Sequence, residues 1–286
     1  MFLIIDSGST KSDWVLLDDE NNQTFFTTMG FNPYFHDEKT IIDAILANDG
    51  LKKCANKVVS VHFYGAGCSS PELNLIVENA FRKVFTEADV FVGHDLTACA
   101  YATYQGKPSI SCIIGTGSNS CYFDGDKVSE VIPALGYILG DEGSGSYFGK
   151  QLLASFLYKK LPKNVEEDFI KEFDLNKDKI VENVYMKPNA NVYLASFMKF
   201  ISKHAEEEFF KTMVYEGMKK FIETHVCCYE NYKSTDVHFI GSLAFIFKNE
   251  LQKAADELGV KIGQIIQKPI GGLVNYHLNH LYLVKR

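Results

Sequence analysis

The sequence predicts an α/β chain built from two related lobes, and three observations lead there. Apolar runs of strand length stop twice at loops of small residues. The first is Ile4-Ile5-Asp6-Ser7-Gly8-Ser9-Thr10-Lys11-Ser12 and the second Ile113-Ile114-Gly115-Thr116-Gly117-Ser118-Asn119-Ser120. Each loop is followed by an extended run, an acidic turn and another extended run. Further along, strand patterns alternate with helical ones, which implies parallel βαβ units. A repeat spacing of about a hundred residues marks duplicated domains, since solenoids repeat every 20–50.

Size and composition agree with two lobes. A chain of 286 residues holds two domains of roughly 100–200 residues each. Apolar residues make up 46% and charged ones 23%, as in an ordinary soluble globular protein. The net charge of −7 argues against nucleic acid or an anionic membrane as the main partner, because both call for basic patches. The seven cysteines (Cys54, Cys68, Cys99, Cys112, Cys121, Cys227 and Cys228) are odd in number and contain no CxxC pair. They read as free thiols of a reducing compartment. Met1–Ile5 is too short for a signal h-region or a membrane span, so the expected location is cytoplasmic.

Taken in order, Phe2–Ile5, Asp13–Leu17 and Thr24–Thr28 read as strands, with the turn residues Asp18–Asn22 between the last two. Glu38–Ala47 carries Ile41, Ile42, Ala44 and Ile45 on one helical face. Val58–Tyr64 is a β-branched and aromatic strand ending at Gly65-Ala66-Gly67. Ser70-Pro71 then opens a helix as N-cap and first-turn residues. Asp89–Val92 is a strand, and Gly93-His94-Asp95 leads into the helix Leu96–Tyr104.

The second half restarts at Ser109–Ile114, with Cys121–Phe123 and Lys127–Ile132 as its next strands around Asp124-Gly125-Asp126. The chain is then mostly helical to about Tyr232, including Glu207–Tyr229. Val237–Ile240 and Ile262–Ile266 are strands on either side of the helix Leu243–Leu258, and Pro269–Leu283 closes as an apolar helix. Gly106-Lys107-Pro108 is the best boundary, giving an N-terminal lobe 1–107 and a C-terminal lobe 108–286 with a helical insertion.

Several segments have the chemistry of a ligand site. Loops of small residues bring N–H groups and hydroxyls to one point, which suits phosphate oxygens. Asp6 ends a strand, where its carboxylate suits a magnesium ion or its water shell, and Thr10 and Lys11 suit phosphate. Asp95 sits where a strand gives way to a helix, at the carboxyl edge where open α/β sheets bind ligands. The same position is commonly only a helix cap. Gly140-Asp141-Glu142-Gly143-Ser144 holds more glycine than a cap requires and reads as a ligand-facing loop. Neither the P-loop pattern nor the dinucleotide glycine fingerprint occurs in its proper context. His277 and His280 lie three apart without a third ligand in view, so a packed or solvated pair is the simpler reading. Trp14 reads as core.

The two loops, Asp95, Gly140–Ser144 and Phe239-Ile240-Gly241-Ser242 together resemble the sugar kinase/chaperone ATPase/actin superfamily. Within it the chain is most similar to the N-acetylglucosamine kinase and BadF/BadG activator-ATPase group. The resemblance spans nearly the whole chain. It implies two ribonuclease H-like, actin-like ATPase lobes with ATP in a cleft between them. Asp6 would lie near Mg²⁺. Gly8, Ser9, Thr10 and Lys11 would form the first phosphate loop, Thr116, Gly117 and Ser118 the second, and Gly241 and Ser242 would lie against adenosine. Asn32, Ser118, Asn119 and Asp141 match sugar contacts, and Asp95 matches the general base, itself in contact with sugar. The implied reaction is transfer of the γ-phosphoryl group of ATP to the C6 hydroxyl of an amino sugar, N-acetylglucosamine first and N-acetylmuramic acid second. A homodimer is implied by family analogy alone.

The chain departs from these relatives at one place. They carry a tryptophan shortly before Gly-Asp-Glu-Gly-Ser, where this chain has Leu135-Gly136. The zinc cysteines of ROK-type glucokinases are absent. The alternative class is an ATPase that activates an acyl-CoA dehydratase, which would need iron–sulfur cysteines that the spacing here does not supply. A sugar sensor without turnover is the third.

Overall fold

A computed structural model describes residues 1–281, which form two compact units. Among the described residues, the first comprises Met1–Gln105 together with residues 269–281, and the second comprises Gly106–Lys268. The sequence alone places 108–286 in the second lobe. The described part of that last segment belongs instead with the first unit, while Tyr282 and Leu283 of the expected closing helix lie outside the described residues.

The first unit is built on five strands: β1 (Phe2–Ser7), β2 (Lys11–Leu17), β3 (Gln23–Met29), β4 (Ser60–Gly65) and β5 (Asp89–His94). Their order is β3-β2-β1-β4-β5. The first three pair antiparallel through tight turns, and β1, β4 and β5 run parallel. Alternation along β1 sends Leu3 and Ile5 to one face and Ile4 to the other. The first face packs on the helices Glu38–Leu46 and Pro71–Val84 through Ile41, Ile45, Val77 and Phe81. Trp14 is buried there, stacked on Phe81 at 5.5 Å, with its indole N–H donating to Thr28. On the other face, Ile4, Val15 and Tyr64 meet Ala98 of the helix Asp95–Thr103 and Leu273 and Val274 of the helix Ile270–Tyr276. Those two helices approach closely because Gly272 faces the backbone of Ala102.

The second unit has β6 (Ser109–Ile114), β7 (Ser118–Phe123), β8 (Val128–Ser129), β9 (Asp236–Ile240) and β10 (Ile262–Ile266). Their order, β10-β9-β6-β7-β8, is the same arrangement as in the first unit when counted from each unit's own first strand. The pairing senses also repeat: β6–β7–β8 are antiparallel, while β6, β9 and β10 are parallel. The duplication seen in the loops is therefore a duplication of topology. One large apolar cluster fills this unit, joining Ile110, Cys112, Val237 and Phe239 to the helices Gly145–Leu157, Lys163–Glu172, Glu208–His225 and Lys248–Leu258.

Two elements differ from expectation. The strand expected over Lys127–Ile132 is reduced to Val128–Ser129, an edge strand ending before Pro133, which has no N–H to offer a ladder. The helix expected over Leu243–Leu258 breaks at Phe247, whose backbone leaves helical geometry and whose ring is buried in the core.

Candidate active site

In the first unit the sheet register aligns Ser7, Gly65 and His94 across β1, β4 and β5. The segments leaving these strands therefore start from one edge, the carboxyl edge of the parallel strands. The β1–β2 turn, Gly8-Ser9-Thr10, is closed by Gly8 N–H donating to Lys11 O at 3.0 Å. Ser9 and Thr10 donate no backbone N–H to the described protein, which leaves both for acceptor oxygens. Lys11 is already matched, its Nζ lying 2.9 Å from the Asp13 carboxylate. Asp6 is half-buried and pairs in register with Tyr64 on one side and Asp13 on the other.

Two residues that the sequence did not single out hold this turn. Ser7, fully buried, accepts from Phe31 N–H at 2.9 Å and lies 2.7 Å from Ser12 Oγ. Gly30 lies so close that a Cβ there would come within 2.1 Å of Gly8 O. Only its position just before Phe31-Asn32 hinted at this, because close backbone approach leaves no periodic signal in sequence.

The Ser7–Phe31 bond brings Asn32 to the same edge. Asn32 is buried, with Oδ1 accepting from Tyr34 N–H at 3.0 Å and its own N–H donating to His36 Nδ1 at 3.2 Å. Its carboxamide lies against the turn after β4: a Cβ on Gly67, whose φ is +82°, would come within 2.3 Å of Oδ1. Asp95 begins its helix, about a quarter exposed, with Oδ1 at 2.8 Å from His94 Nδ1. Burial first, and then the Asp95 charge, push the nearby Cys68 thiol up to about 12. Cys68 is thus a neutral neighbour of the carboxylate.

In the second unit the β6–β7 turn stands at the corresponding place but is one residue shorter, closed by Gly115 N–H donating to Gly117 O at 2.9 Å. Thr116 and Gly117 donate no N–H within the described protein. The helix Gly145–Leu157 docks on the outer side of the turn, its Gly145 and Ser146 N–H groups donating to Gly115 O (2.8 Å) and Thr116 O (3.0 Å). Asp141, in left-handed backbone with φ 57°, accepts from Ser118 N–H at 3.3 Å, and Ser118 Oγ donates to Glu142 O at 2.7 Å. Burial raises the Asp141 carboxyl above its ordinary value, an effect opposed by the Ser118 N–H and by the charge of Lys150. Asn119 donates to Glu130 at 3.2 Å and accepts from Ser120 N–H. Glu142 turns the other way, towards Nε2 of the buried His225 at 3.2 Å. Pairing of Ile113 with Ile240 sets Gly241 and the exposed Ser242 next to this turn, and Gly241 N–H donates to Ile266 O.

The first unit thus gathers Asp6, Gly8, Ser9, Thr10, Asn32 and Asp95 at one edge. The second gathers Thr116, Gly117, Ser118, Asn119, Asp141, Gly241 and Ser242 at its own. Among the described residues no group of three or more His, Cys, Asp or Glu side chains is set to hold a metal. A single carboxylate such as Asp6 fits a hard cation that keeps most of its waters and takes phosphate oxygens. It does not fit a dedicated protein cage. His277 is no ligand: its Nε2 bonds the buried Tyr64 hydroxyl at 2.9 Å, and burial, with the neighbouring His62, pushes its value down to about 3. His280 packs on the rings of Tyr104 and Tyr276. All seven cysteines are free, and five are buried. No described helix is long and apolar enough to cross a membrane.

No family model and no curated protein sequence matches the chain. Solved structures do. The putative N-acetylglucosamine kinase of Porphyromonas gingivalis is 35% identical, with a TM-score of 0.91 over 98% of this chain and 100% of that one. A second putative N-acetylglucosamine kinase, from Chromobacterium violaceum, shares the fold at 13% identity and a TM-score of 0.65, over 96% and 98%. The ROK hexokinase of Thermus thermophilus does so at 14% identity and a TM-score of 0.51, over 99% of each. The repeated five-strand topology is that of the two ribonuclease H-like lobes of the actin-like ATPase fold. Identity over the full length of the first of these proteins, together with this duplicated fold, places the chain in the N-acetylglucosamine kinase-like family of sugar kinases within the actin-like ATPase superfamily.

Proposed function

We propose that the protein phosphorylates the C6 hydroxyl of an amino sugar at the expense of ATP, with N-acetylglucosamine as the acceptor. The observation that carries this reading is the shared edge of the first unit. There one sheet register brings a phosphate-type turn, a buried asparagine and a helix-opening aspartate together. A nucleotide-hydrolysing switch needs the turn and can use an aspartate to orient water, but it has no use for the buried asparagine beside them.

In this reading Asn32 holds a sugar hydroxyl through Nδ2, while the Tyr34 N–H bond to Oδ1 fixes the orientation of the carboxamide. Asp95 accepts the proton of the attacking C6 hydroxyl. Ser9, Thr10, Thr116 and Gly117 offer N–H groups to phosphate oxygens, and Gly241 and Ser242 flank the nucleoside. Asp141 and Asn119 keep the sugar roles that the family resemblance gives them, with Ser118 serving both sugar and phosphate. When bound, ATP supplies the phosphoryl group, and magnesium beside Asp6 offsets charge on its oxygens. Lys11, paired with Asp13, contributes a screened positive charge to the phosphates rather than a direct clamp.

The test is ADP release by the purified protein with a panel of amino sugars. N-acetylglucosamine should give the largest stimulation, with a 6-phosphate as product. If no sugar stimulates ATP turnover, the kinase reading fails.

A further inference from the structure

His94 closes β5 and Asp95 opens the helix that follows, so the two are neighbours in chain and in space. The imidazole Nδ1 lies 2.8 Å from Asp95 Oδ1 and 3.2 Å from Leu96 N–H, where it stands as N-cap of the helix. One nitrogen cannot accept from the amide and donate to the carboxylate at once. The shorter contact, to a charged acceptor, is the stronger of the two. That geometry puts a proton between Nδ1 and Oδ1. A carboxylate held at one oxygen keeps the other fully open to accept a proton, and in a fixed direction.

We propose that His94 is the positioning residue for Asp95, holding Oδ1 so that Oδ2 alone faces the acceptor hydroxyl. This rests on Asp95 being the general base. A side chain free to rotate about its χ angles would spend much of its time misaligned, and misplacement of a reacting group by about 1 Å costs on the order of 100-fold in rate. The ordinary alternative is that His94 only caps the helix. Asparagine is among the best N-cap residues, and with its Oδ1 in the place of Nδ1 as the cap, its Nδ2 donor lies on the other branch of the carboxamide, away from Asp95.

The experiment therefore compares wild type with His94→Asn, Asp95→Asn and the double variant, in steady-state kinetics with N-acetylglucosamine and ATP, alongside thermal unfolding. Positioning predicts that H94N lowers kcat about 10- to 100-fold, with both KM values within about twofold and Tm unchanged. It also predicts that H94N causes no further loss once Asp95 is Asn, because the residue it positions is gone. Wild-type kcat in H94N, or a loss of equal size in the D95N background, would overturn the proposal. If D95N itself turns over like wild type, it is the base assignment that fails. Should H94N lose stability, His94→Ser supplies a second capping variant with the same kinetic expectation.

Discussion

Gly30 is packed onto the carbonyl of Gly8: a Cβ at position 30 would sit 2.1 Å from that oxygen and 2.7 Å from Lys11 N. Both obstacles are backbone of the first phosphate-type turn, so no side-chain rotation relieves them. The turn's shape is set by a residue nineteen or more positions away in sequence. Gly30→Ala should accordingly displace the turn, raise the ATP KM at least about tenfold and lower kcat, with a stability loss of about 1–3 kcal/mol. Nucleotide titration and denaturant unfolding measure both. Wild-type values for both would mean that the turn has no part in nucleotide binding.

Asp95→Asn keeps the size and the helix-opening position but removes the proton acceptor. Sugar-dependent ADP release should fall about 10²- to 10⁴-fold while ATP affinity stays within a few-fold. Coupled turnover and a nucleotide titration separate the two. Parallel loss of ATP binding would make Asp95 a phosphate-site residue instead.

Asp141 gives a prediction in which stability and activity diverge. Burial raises its carboxyl in the folded state, so it opposes folding above that raised value, and the penalty disappears below its ordinary 3.8. Asparagine keeps an acceptor for Ser118 N–H and removes the buried charge. Asp141→Asn should be as stable as wild type or more so at pH 7, with the gain absent at acid pH, while the KM for the sugar rises about tenfold or more. A loss of stability at pH 7 with unchanged KM would show a purely structural role.

Asp236, at the start of β9, behaves in the opposite sense. Hydrogen-bonded ion pairs with Lys107 and with Lys261 hold its carboxyl down at about 2, against an ordinary 3.8. Its stabilisation is complete above pH 3.8 and is lost as pH falls through about 2. Both ammonium groups are exposed, so Asp236→Asn should cost on the order of 1 kcal/mol at pH 7 and low salt. The difference between the two unfolding curves should shrink towards pH 2. A gap that widens in acid would reverse the sign.

How much of this was legible beforehand differs by type of residue. Ten strands in two sets were foreseen because strand length, β-branching and turn chemistry are local. The errors fell where local signals compete with packing. Phe247 left its helix to reach the core, and the strand after Asp126 was cut short at an unsupported edge. Of the site, Asp6, the glycine turns and the acidic loop around Asp141 stood out because small and charged residues interrupt apolar runs. Ser7, Gly30 and Gly67 did not, since each acts through a contact with backbone or side chain far along the chain.

The sequence by itself determined that this is a duplicated α/β chain with two glycine turns suited to phosphate, because those features depend on composition and periodicity over a few residues. It marked Asp95 and the loop around Asp141 by their place in the pattern, and through the family their motifs resemble it named Asn32 and the roles of all three. Only the tertiary structure decided that one strand register sets the first turn, the Gly67 turn and Asp95 along a single edge. It alone decided that Ser7 ties Asn32 to that edge, and that the chain from Pro269 returns to the first unit. The physical reason is that register and close packing join residues distant in the chain, and no local pattern records which of them will meet.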